Sequence, residues 1–590
     1  MDNPNSSELN IPEGTILAET LLHIFNYNKL SELYSDFHDR DPLFLINSLF
    51  SLLDLKYLFP DNDLKNIPRE GPFITVSNHP FRGIDSMILF KILSEYRKDF
   101  KILASSLLHR IEPLREIVIP VNTHETTTNI KSSYSGIRQA IDHLKSGHCI
   151  GIFPTGETSA PIESSRVILD NIWQPEAVKF IKYSQVPVIP VYFHGTNSRM
   201  IHIMGKIHPI LRQTQLPSEL LHRNNRTVKV RIGSPVTVKE QNEFEDIAYF
   251  GKYLRAKVYS LGSAIEVRKF TGKRLKRKIL KAEPVARQTP SNILKEEFDR
   301  IRLDFELFST NNYSVICAPA EKIPAIFTEI GRLRELTFRK VGEGTNKSTD
   351  IDEYDFYFNH LFIWDNDLDK IVGAYRIGKG KDILRVNGIK GFYINSLFRL
   401  KSSFQPVLSQ SLELGRSFIT EEYQKKTIPL FLLWKGIMVF LLRNPEYRFL
   451  IGPVSISNDF SKFSKSLIVE FIRKYFSDKN YSEYIIPRKD FIVKADKAID
   501  RNIFIDTAES DINKIEKIII DIEPGYRLPV LLKKYLEING KIIGFNIDPK
   551  FNYCLDGLLI LDLYKTPREF IMGLARQLND ESILERFIQH

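Results

Sequence analysis

Phe73-Ile-Thr-Val-Ser-Asn-His-Pro-Phe-Arg-Gly-Ile-Asp85 opens as a short apolar run and breaks after Ser77 into a polar turn that carries a histidine and an aspartate. Where strands alternate with helices, reactive groups collect at the point where a strand runs out into a loop. An imidazole titrating near neutrality takes a proton from an attacking hydroxyl, and a carboxylate a few positions on fixes its tautomer. His79 and Asp85 are therefore the candidate base and its orienting partner. Taken alone, such a turn is structural more often than catalytic.

Outward from this segment, short apolar runs at 73–77, 117–121, 149–153, 186–193 and 227–232 alternate with helical stretches, which predicts an α/β domain over residues 61–245. Residues 1–60 read as helical, with Leu17, Leu21, Leu22 and Ile24 followed by Leu43, Leu45, Leu49, Leu52 and Leu53 near helical spacing. Residues 246–295 read as a basic helical connector, because positions 268–287 hold nine Lys or Arg and a single Glu. A second run of mixed strands and helices fills 296–590. The connector fits an anionic membrane surface or a solvated linker helix, and no zinc-finger, RNA-recognition or helix-turn-helix pattern points to nucleic acid.

Composition narrows the classes further. With 590 residues, 43% hydrophobic and 26% charged, the chain is long enough for several cores and too apolar for disorder. A net charge of +10 favours anionic partners. Cys149, Cys317 and Cys554 lie far apart, which excludes a disulfide framework and a zinc ribbon, and the histidines show no metal-ligand spacing; no metal or bound cofactor is expected. The first basic residue is Lys29, so no secretory signal is expected. The longest apolar stretches, 43–53 and 428–442, fall short of the ~18–20 residues that span a bilayer and read as core helices or membrane-surface contacts. The expectation is a cytoplasmic protein, peripheral on the inner face of the cytoplasmic membrane.

Two further segments turn the first constellation into a pattern. Gly151-Ile-Phe-Pro-Thr-Gly-Glu-Thr-Ser159 and Val186-Pro-Val-Ile-Pro-Val-Tyr-Phe-His194 follow in order. Together with His79 and Asp85 they resemble the glycerolipid acyltransferase family related to 1-acylglycerol-3-phosphate acyltransferases. The resemblance, over residues 65–245, implies that His79 activates an acceptor hydroxyl for attack on an acyl thioester, and that Gly156 and Glu157 bind substrate. The sequence departs from that family in three places. Six positions, not five, separate His79 from Asp85, and Asn122 and Thr158 stand where arginines grip phosphate. Neither Asn nor Thr offers a bidentate guanidinium fork, so the expected acceptor need not be a glycerol phosphate, unless Arg82, Arg115 or Arg166 compensates.

The C-terminal half carries Leu333-Arg-Glu-Leu-Thr-Phe338, Asp352-Glu-Tyr-Asp355, Ile371-Val-Gly-Ala-Tyr-Arg376 and Leu412-Glu-Leu-Gly-Arg416. Taken singly, Arg334 reads as a helix-surface residue, Arg376 as a strand-end residue and Glu413 with Arg416 as a local ion pair. In this order they resemble the ornithine-lipid and acyl-homoserine-lactone synthase families, which have a GNAT-like fold and use acyl-carrier thioesters. Segments around His360, Trp434, Gly452 and Tyr535 extend the likeness over about 310–565. The resemblance implies Glu413 and Arg416 as catalytic residues and Arg334, Asp352, Asp355 and Arg376 as residues that hold the acceptor. Three positions separate Glu413 from Arg416, which places them on opposite faces of a regular strand, so a bulge or strand end is required between them. Arg339-Lys-Val-Gly-Glu-Gly344 fits a diphosphate-cradling loop but precedes the central strands, where such a loop should follow them.

Joined in one chain, the two resemblances imply a bifunctional ornithine-lipid synthase: N-acylation of an amino acid, ornithine favoured, with a 3-hydroxyacyl thioester, then O-acylation of the 3-hydroxyl of that lyso-aminolipid. Acyl carrier protein or coenzyme A would bring the acyl group as donor substrate, and an acidic carrier suits the basic chain. The alternatives are a lysophospholipid acyltransferase with a non-catalytic C-terminal domain and a membrane-active, hemolysin-like protein.

Overall fold

The computed structural model describes residues 41–52, 55–80, 84–105, 109, 112–121, 130–155, 173–194, 226–263, 265, 282–310, 312–493, 499–578 and 581–587. The chain divides into two compact units, one formed by Met1–Gly272 with Asp496–Thr507 and Lys517–Pro524, the other by Lys273–Ala495, Ala508–Glu516 and Gly525–His590.

The first unit is built on a seven-stranded sheet of β1 (Leu55–Leu58), β2 (Ile74–Ser77), β3 (Lys101–Ser105), β4 (Val118–Val121), β5 (Ile150–Ile152), β6 (Val188–His194) and β7 (Arg226–Ile232), in the order β1-β7-β6-β2-β5-β3-β4. Every neighbouring pair is parallel except β6–β7. β2, β5 and β6 are buried along their whole length, the pattern of strands covered on both faces. Their apolar side chains join those of the helix Ile84–Ser94 in one core that includes Phe73, Ile88, Leu89 and Phe193.

Two boundaries differ from the sequence reading. The stretch read as helical to residue 60 holds the helix Pro42–Leu52 but then forms β1, whose Leu55 is buried while Lys56 and Leu58 are exposed, and which pairs with β7. Residues 1–40 lie outside the described residues. The first unit also continues past 245. The helix Ile247–Ser260 is capped by Asp246, which accepts from the amides of Ala248 and Tyr249, and it buries Phe250, Leu254 and Val258. Its Lys257 is buried 2.7 Å from Asp521, a residue of the same unit. The expected boundary follows the last strand and so falls too early, whereas the chain passes from one unit to the other at Gly272/Lys273, inside the basic run 268–287. Most of that run, 266–281, lies outside the described residues.

In the second unit an eight-stranded sheet runs β16-β17-β14-β13-β11-β10-β9-β8. Its strands are β8 (Glu306–Thr310), β9 (Tyr313–Pro319), β10 (Asn359–Asp365), β11 (Lys370–Lys379), β13 (Ser411–Ile419), β14 (Phe449–Ile456), β16 (Lys541–Asp548) and β17 (Cys554–Asp562), while β12 (Phe398–Leu400) and β15 (Ile485–Pro487) form a separate small pair. All neighbours are antiparallel except β13 and β14. That parallel pair is joined for three rungs only, Ser411 to Glu413 against Phe449 to Ile451. Beyond it Pro453 has no amide hydrogen to give, and Gly415 to Ser417 on one strand and Pro453 to Ser455 on the other become partly exposed. The two strands thus part in the middle of the sheet.

The helix Thr427–Arg443 packs on β8 to β11 and β13 and is buried from Leu432 to Leu442, so this apolar stretch is a core helix; only its first turn exposes Ile428 and Phe431. No helix among the described residues is long and apolar enough to cross a membrane.

Candidate active sites

In the first unit the three sequence segments converge on one edge. β5, β2 and β6 are adjacent and parallel, so Phe153 and His79, which follow β5 and β2, and His194, the last residue of β6, gather at their carboxyl ends, the place where open α/β sheets bind ligands. His79 Nδ1 stands 2.9 Å from Asp85 Oδ1, with the imidazole 18% exposed and the carboxylate fully buried. Asp85 lies in the first turn of the helix Ile84–Ser94, and its Oδ1 also accepts from the Ser86 amide at 3.0 Å. The extra residue in the His79–Asp85 spacing is therefore accommodated. Nδ1 faces the carboxylate, so Asp85 fixes the orientation of the ring. The ring packs on Phe153 at 4.6 Å between centroids. Gly156, Glu157, Asn122, Thr158, Arg82 and Arg166 lie outside the described residues, and Arg115 is exposed.

One positioning element escaped the sequence reading. Asn78 is buried, its Nδ2 donates to the Phe193 carbonyl at 3.0 Å, and its Oδ1 accepts from the Phe193 amide at 2.8 Å. This reciprocal pair ties the turn that holds His79 to β6. Nothing local signals it, since the partner lies 115 residues away.

In the second unit all six candidates fall into one charged cluster. Arg334, on the helix Pro324–Lys340, donates from Nε to Asp350 Oδ2 at 3.0 Å and from Nη1 and Nη2 to Asp355 at 3.0 and 2.7 Å. Arg376, on β11, reaches Asp352 at 2.6 Å and Asp355 at 3.2 Å through Nη1. Arg416 lies 3.6 Å from Asp350 and 3.7 Å from Asp352. Burial by itself would raise the Asp355 carboxyl, but Arg334 and Arg376 hold it well below the usual carboxylate range. Asp350, not singled out in the sequence, completes the set; its signal was the Asp-x-Asp-x-x-Asp spacing of 350, 352 and 355. Asp352 and Asp355 also cap a short turn, Asp352 accepting from Tyr354 N and Asp355 from Asp352 N.

The bulge demanded by the Glu413–Arg416 spacing is present. The β11–β13 register slips between Ala374 and Arg376, and Arg416 takes a φ of 53°. Glu413 is 1% exposed and accepts from the amides of Tyr393 at 3.1 Å and Ile394 at 2.7 Å. Burial pushes its carboxyl up to about 7, with the Ile394 amide and Arg376 holding it from rising further. A buried carboxyl that changes state near neutrality, at the point where two strands part, is poised as a general base. His360, also in the cluster, is driven down to about 4 by burial and donates Nε2–H to the Asp355 carbonyl, a fixed neutral strut. Beside the opening, Asp556 accepts from Ser455 Oγ at 2.7 Å, and burial with Asp548 nearby pushes it up to about 7.

The diphosphate-like motif does no such work. Arg339 spends its guanidinium on Glu335, the Glu283 carbonyl and the Lys347 carbonyl, and a Cβ on Gly344 would press to 2.8 Å from the Arg339 Cα.

Comparison with known proteins agrees with both halves. Residues 20–267 match a family described as acyltransferase, and residues 333–434 match the acetyltransferase (GNAT) domain. A glycine N(alpha)-acyltransferase from Phocaeicola vulgatus is 30% identical over 270 residues, covering 44% of this chain and 81% of that protein. A lyso-glycine lipid O-acyltransferase from the same organism is 25% identical over 248 residues, 41% of this chain and 86% of that protein. Among solved structures, a 1-acyl-sn-glycerophosphate acyltransferase from Thermotoga maritima matches at 18% identity, covering 44% of this chain and 95% of that one, with a TM-score of 0.26. The protein is an acyltransferase with an N-terminal acyltransferase domain and a C-terminal GNAT domain. It belongs to the family of the Phocaeicola glycine N(alpha)-acyltransferase.

Proposed function

We propose that the chain makes a two-chain aminolipid in two successive acyl transfers. In the second unit the amine of an amino acid attacks a 3-hydroxyacyl thioester, Glu413 takes the amine proton, the carbon–sulfur bond breaks and an amide forms. In the first unit the 3-hydroxyl of that product attacks a second thioester, His79 takes its proton under the orienting influence of Asp85, the carbon–sulfur bond breaks, the thiolate leaves as a thiol on taking that proton, and an ester forms. The observation that carries this reading is that each unit holds its own base, the His79–Asp85 pair and the Glu413 carboxyl. The names of the two relatives support it, since one describes the amine step and the other the hydroxyl step on a glycine lipid. They also favour glycine over ornithine as acceptor. A lyso-aminolipid carries no phosphate, which suits a site with Asn122 and Thr158 in place of arginines.

An acyl carrier protein is the proposed donor. The turn that follows β13, where a coenzyme A diphosphate would rest on backbone amides, reads Thr420-Glu-Glu-Tyr-Gln-Lys-Lys426, without glycine and with two carboxylates, Glu421 paired with Lys340 and Glu422 2.8 Å from Lys370. We place the protein at the inner membrane surface, where its lipid product belongs; Ile428 and Phe431, exposed next to Lys425 and Lys426, suit such a contact. The test is purified protein with a 3-hydroxyacyl carrier thioester and either labelled glycine or labelled ornithine. Labelled N-acyl glycine, chased into a two-chain product by a second thioester, supports the scheme. Acylation of lysophosphatidic acid without any amide product refutes it.

A further inference from the structure

The three arginines of the second cluster are not equivalent. Arg334 spends all three nitrogens on Asp350 and Asp355. Arg376, 1% exposed, spends only Nη1; its Nε and Nη2 are closed off from solvent and have no hydrogen-bond partner among the described residues. Its central carbon lies 5.2 to 5.5 Å from the ring centroids of Phe358, Tyr393 and Tyr354. Ring faces attract the charge but leave the two in-plane N–H directions unanswered. Nε and Nη2 are neighbours on one edge of the guanidinium, the fork that takes a carboxylate through two parallel hydrogen bonds.

The residue beside that edge carries no side chain. Gly415 is the register partner of Arg376 across β11 and β13, and a Cβ there would sit 3.8 Å from Nη2 and 3.9 Å from Nε with nothing else within 4 Å. A side chain at this position would therefore touch both nitrogens, and glycine puts none there. Gly415 is also where β13 has just parted from β14, whose last rung is Glu413 with Ile451. Glu413 lies on the same sheet face two residues earlier, and its carboxyl feels the Arg376 charge.

We infer that the Nε–Nη2 edge of Arg376, bordered by Gly415, is the subsite for the α-carboxylate of the acceptor amino acid, holding its amine toward Glu413. The inference rests on the N-acylation reading above. It makes a free carboxylate, and not merely an amine, the feature that defines the acceptor, and it makes Gly415 the position that protects this requirement.

The experiment compares glycine with glycinamide, and ornithine with its carboxamide, as acceptors for the full-length protein charged with a 3-hydroxyacyl carrier thioester. Wild type is expected to prefer the carboxylate form by about 100-fold or more in kcat/KM, since the amide leaves a buried guanidinium edge badly matched. Arg376→Lys, which keeps the charge and loses the fork, and Gly415→Ala, which places a methyl against both nitrogens, are each expected to reduce that preference at least about tenfold, through KM. Gly415→Ala meets no contact shorter than 3.8 Å, so it keeps the test decisive if Arg376→Lys fails to fold. Equal use of glycine and glycinamide by wild type, or an unchanged preference in Gly415→Ala, overturns the subsite while leaving amide synthesis standing. Acylation of neither acceptor overturns the N-acylation reading itself and the subsite with it.

Discussion

Glu413 and Arg416, three positions apart on one strand, meet at the same residue: Glu413 accepts the Tyr393 amide at 3.1 Å, and the Arg416 guanidinium lies 5.5 Å from the Tyr393 ring centroid. A regular strand would have sent them to opposite faces, and the left-handed φ of Arg416 is what brings them together. In the proposed amide synthesis the bulge would bring the base and a cation to the same side, where a positive charge would help hold the developing oxyanion of a thioester adduct.

The base predicts a pH dependence. A carboxyl at about 7 must be deprotonated to accept the amine proton, so kcat for amide formation should rise with pH through about 7 and level off above it. Glu413→Gln should lower kcat by about 100-fold or more and remove that ascending limb, measured with saturating amino acid and thioester. Because burial raises this carboxyl above its ordinary 4.5, its contribution to stability is full below that value and is lost as pH rises through about 7. Glu413→Gln should accordingly flatten the fall in melting temperature over that window.

Asn78 offers a second test, in the first unit. Asn78→Asp keeps the shape and the acceptor toward the Phe193 amide but must be protonated to donate to the Phe193 carbonyl. O-acylation by this variant should fall with rising pH as the introduced carboxyl ionises, while Asn78→Ala loses about 10- to 100-fold at every pH. A parallel pH profile for Asn78→Asp and wild type would reduce Asn78 to a packing role.

Arg334 tests what the charged cluster is for. Its side chain is 2% exposed and satisfies two carboxylates that are equally buried, so Arg334→Ala leaves Asp350 and Asp355 without their main counter-charge. Loss of one partner from such a buried network costs about 3–5 kcal/mol, which urea unfolding of the purified variant should register. Asp355, held below its ordinary 3.8, contributes its stability in full above that value and loses it as pH falls further, so the variant and wild type should converge in acid.

These residues also show what was legible in the sequence. The α/β alternation, the His79–Asp85 pair and the six charged positions of the second half could be read because each sits in a short local pattern of apolar run and polar break. The need for a bulge followed from counting alone. What escaped was set by distant chain: the 115-residue pairing of Asn78 with Phe193, the capture of Glu413 by the turn at Tyr393, and the free edge of Arg376 over Gly415. β1 escaped for another reason, since four residues are too few for a period of two to stand out beside a helix. The sequence reading ends the first domain too early because the helix Ile247–Ser260 follows its final strand and carries no strand signal, whereas the division between the units falls inside the basic run at 268–287.

The central claim, two acyl transfers by one chain in a fixed order, is tested most directly by the lipids of a host that makes no aminolipid of its own, profiled by mass spectrometry after expression of wild type, His79→Ala and Glu413→Gln. A two-chain aminolipid from wild type, a single-chain N-acyl amino acid accumulating with His79→Ala, and neither with Glu413→Gln is the predicted result. A two-chain aminolipid persisting with His79→Ala, or no aminolipid from soluble wild-type protein with amino acids supplied, would contradict it.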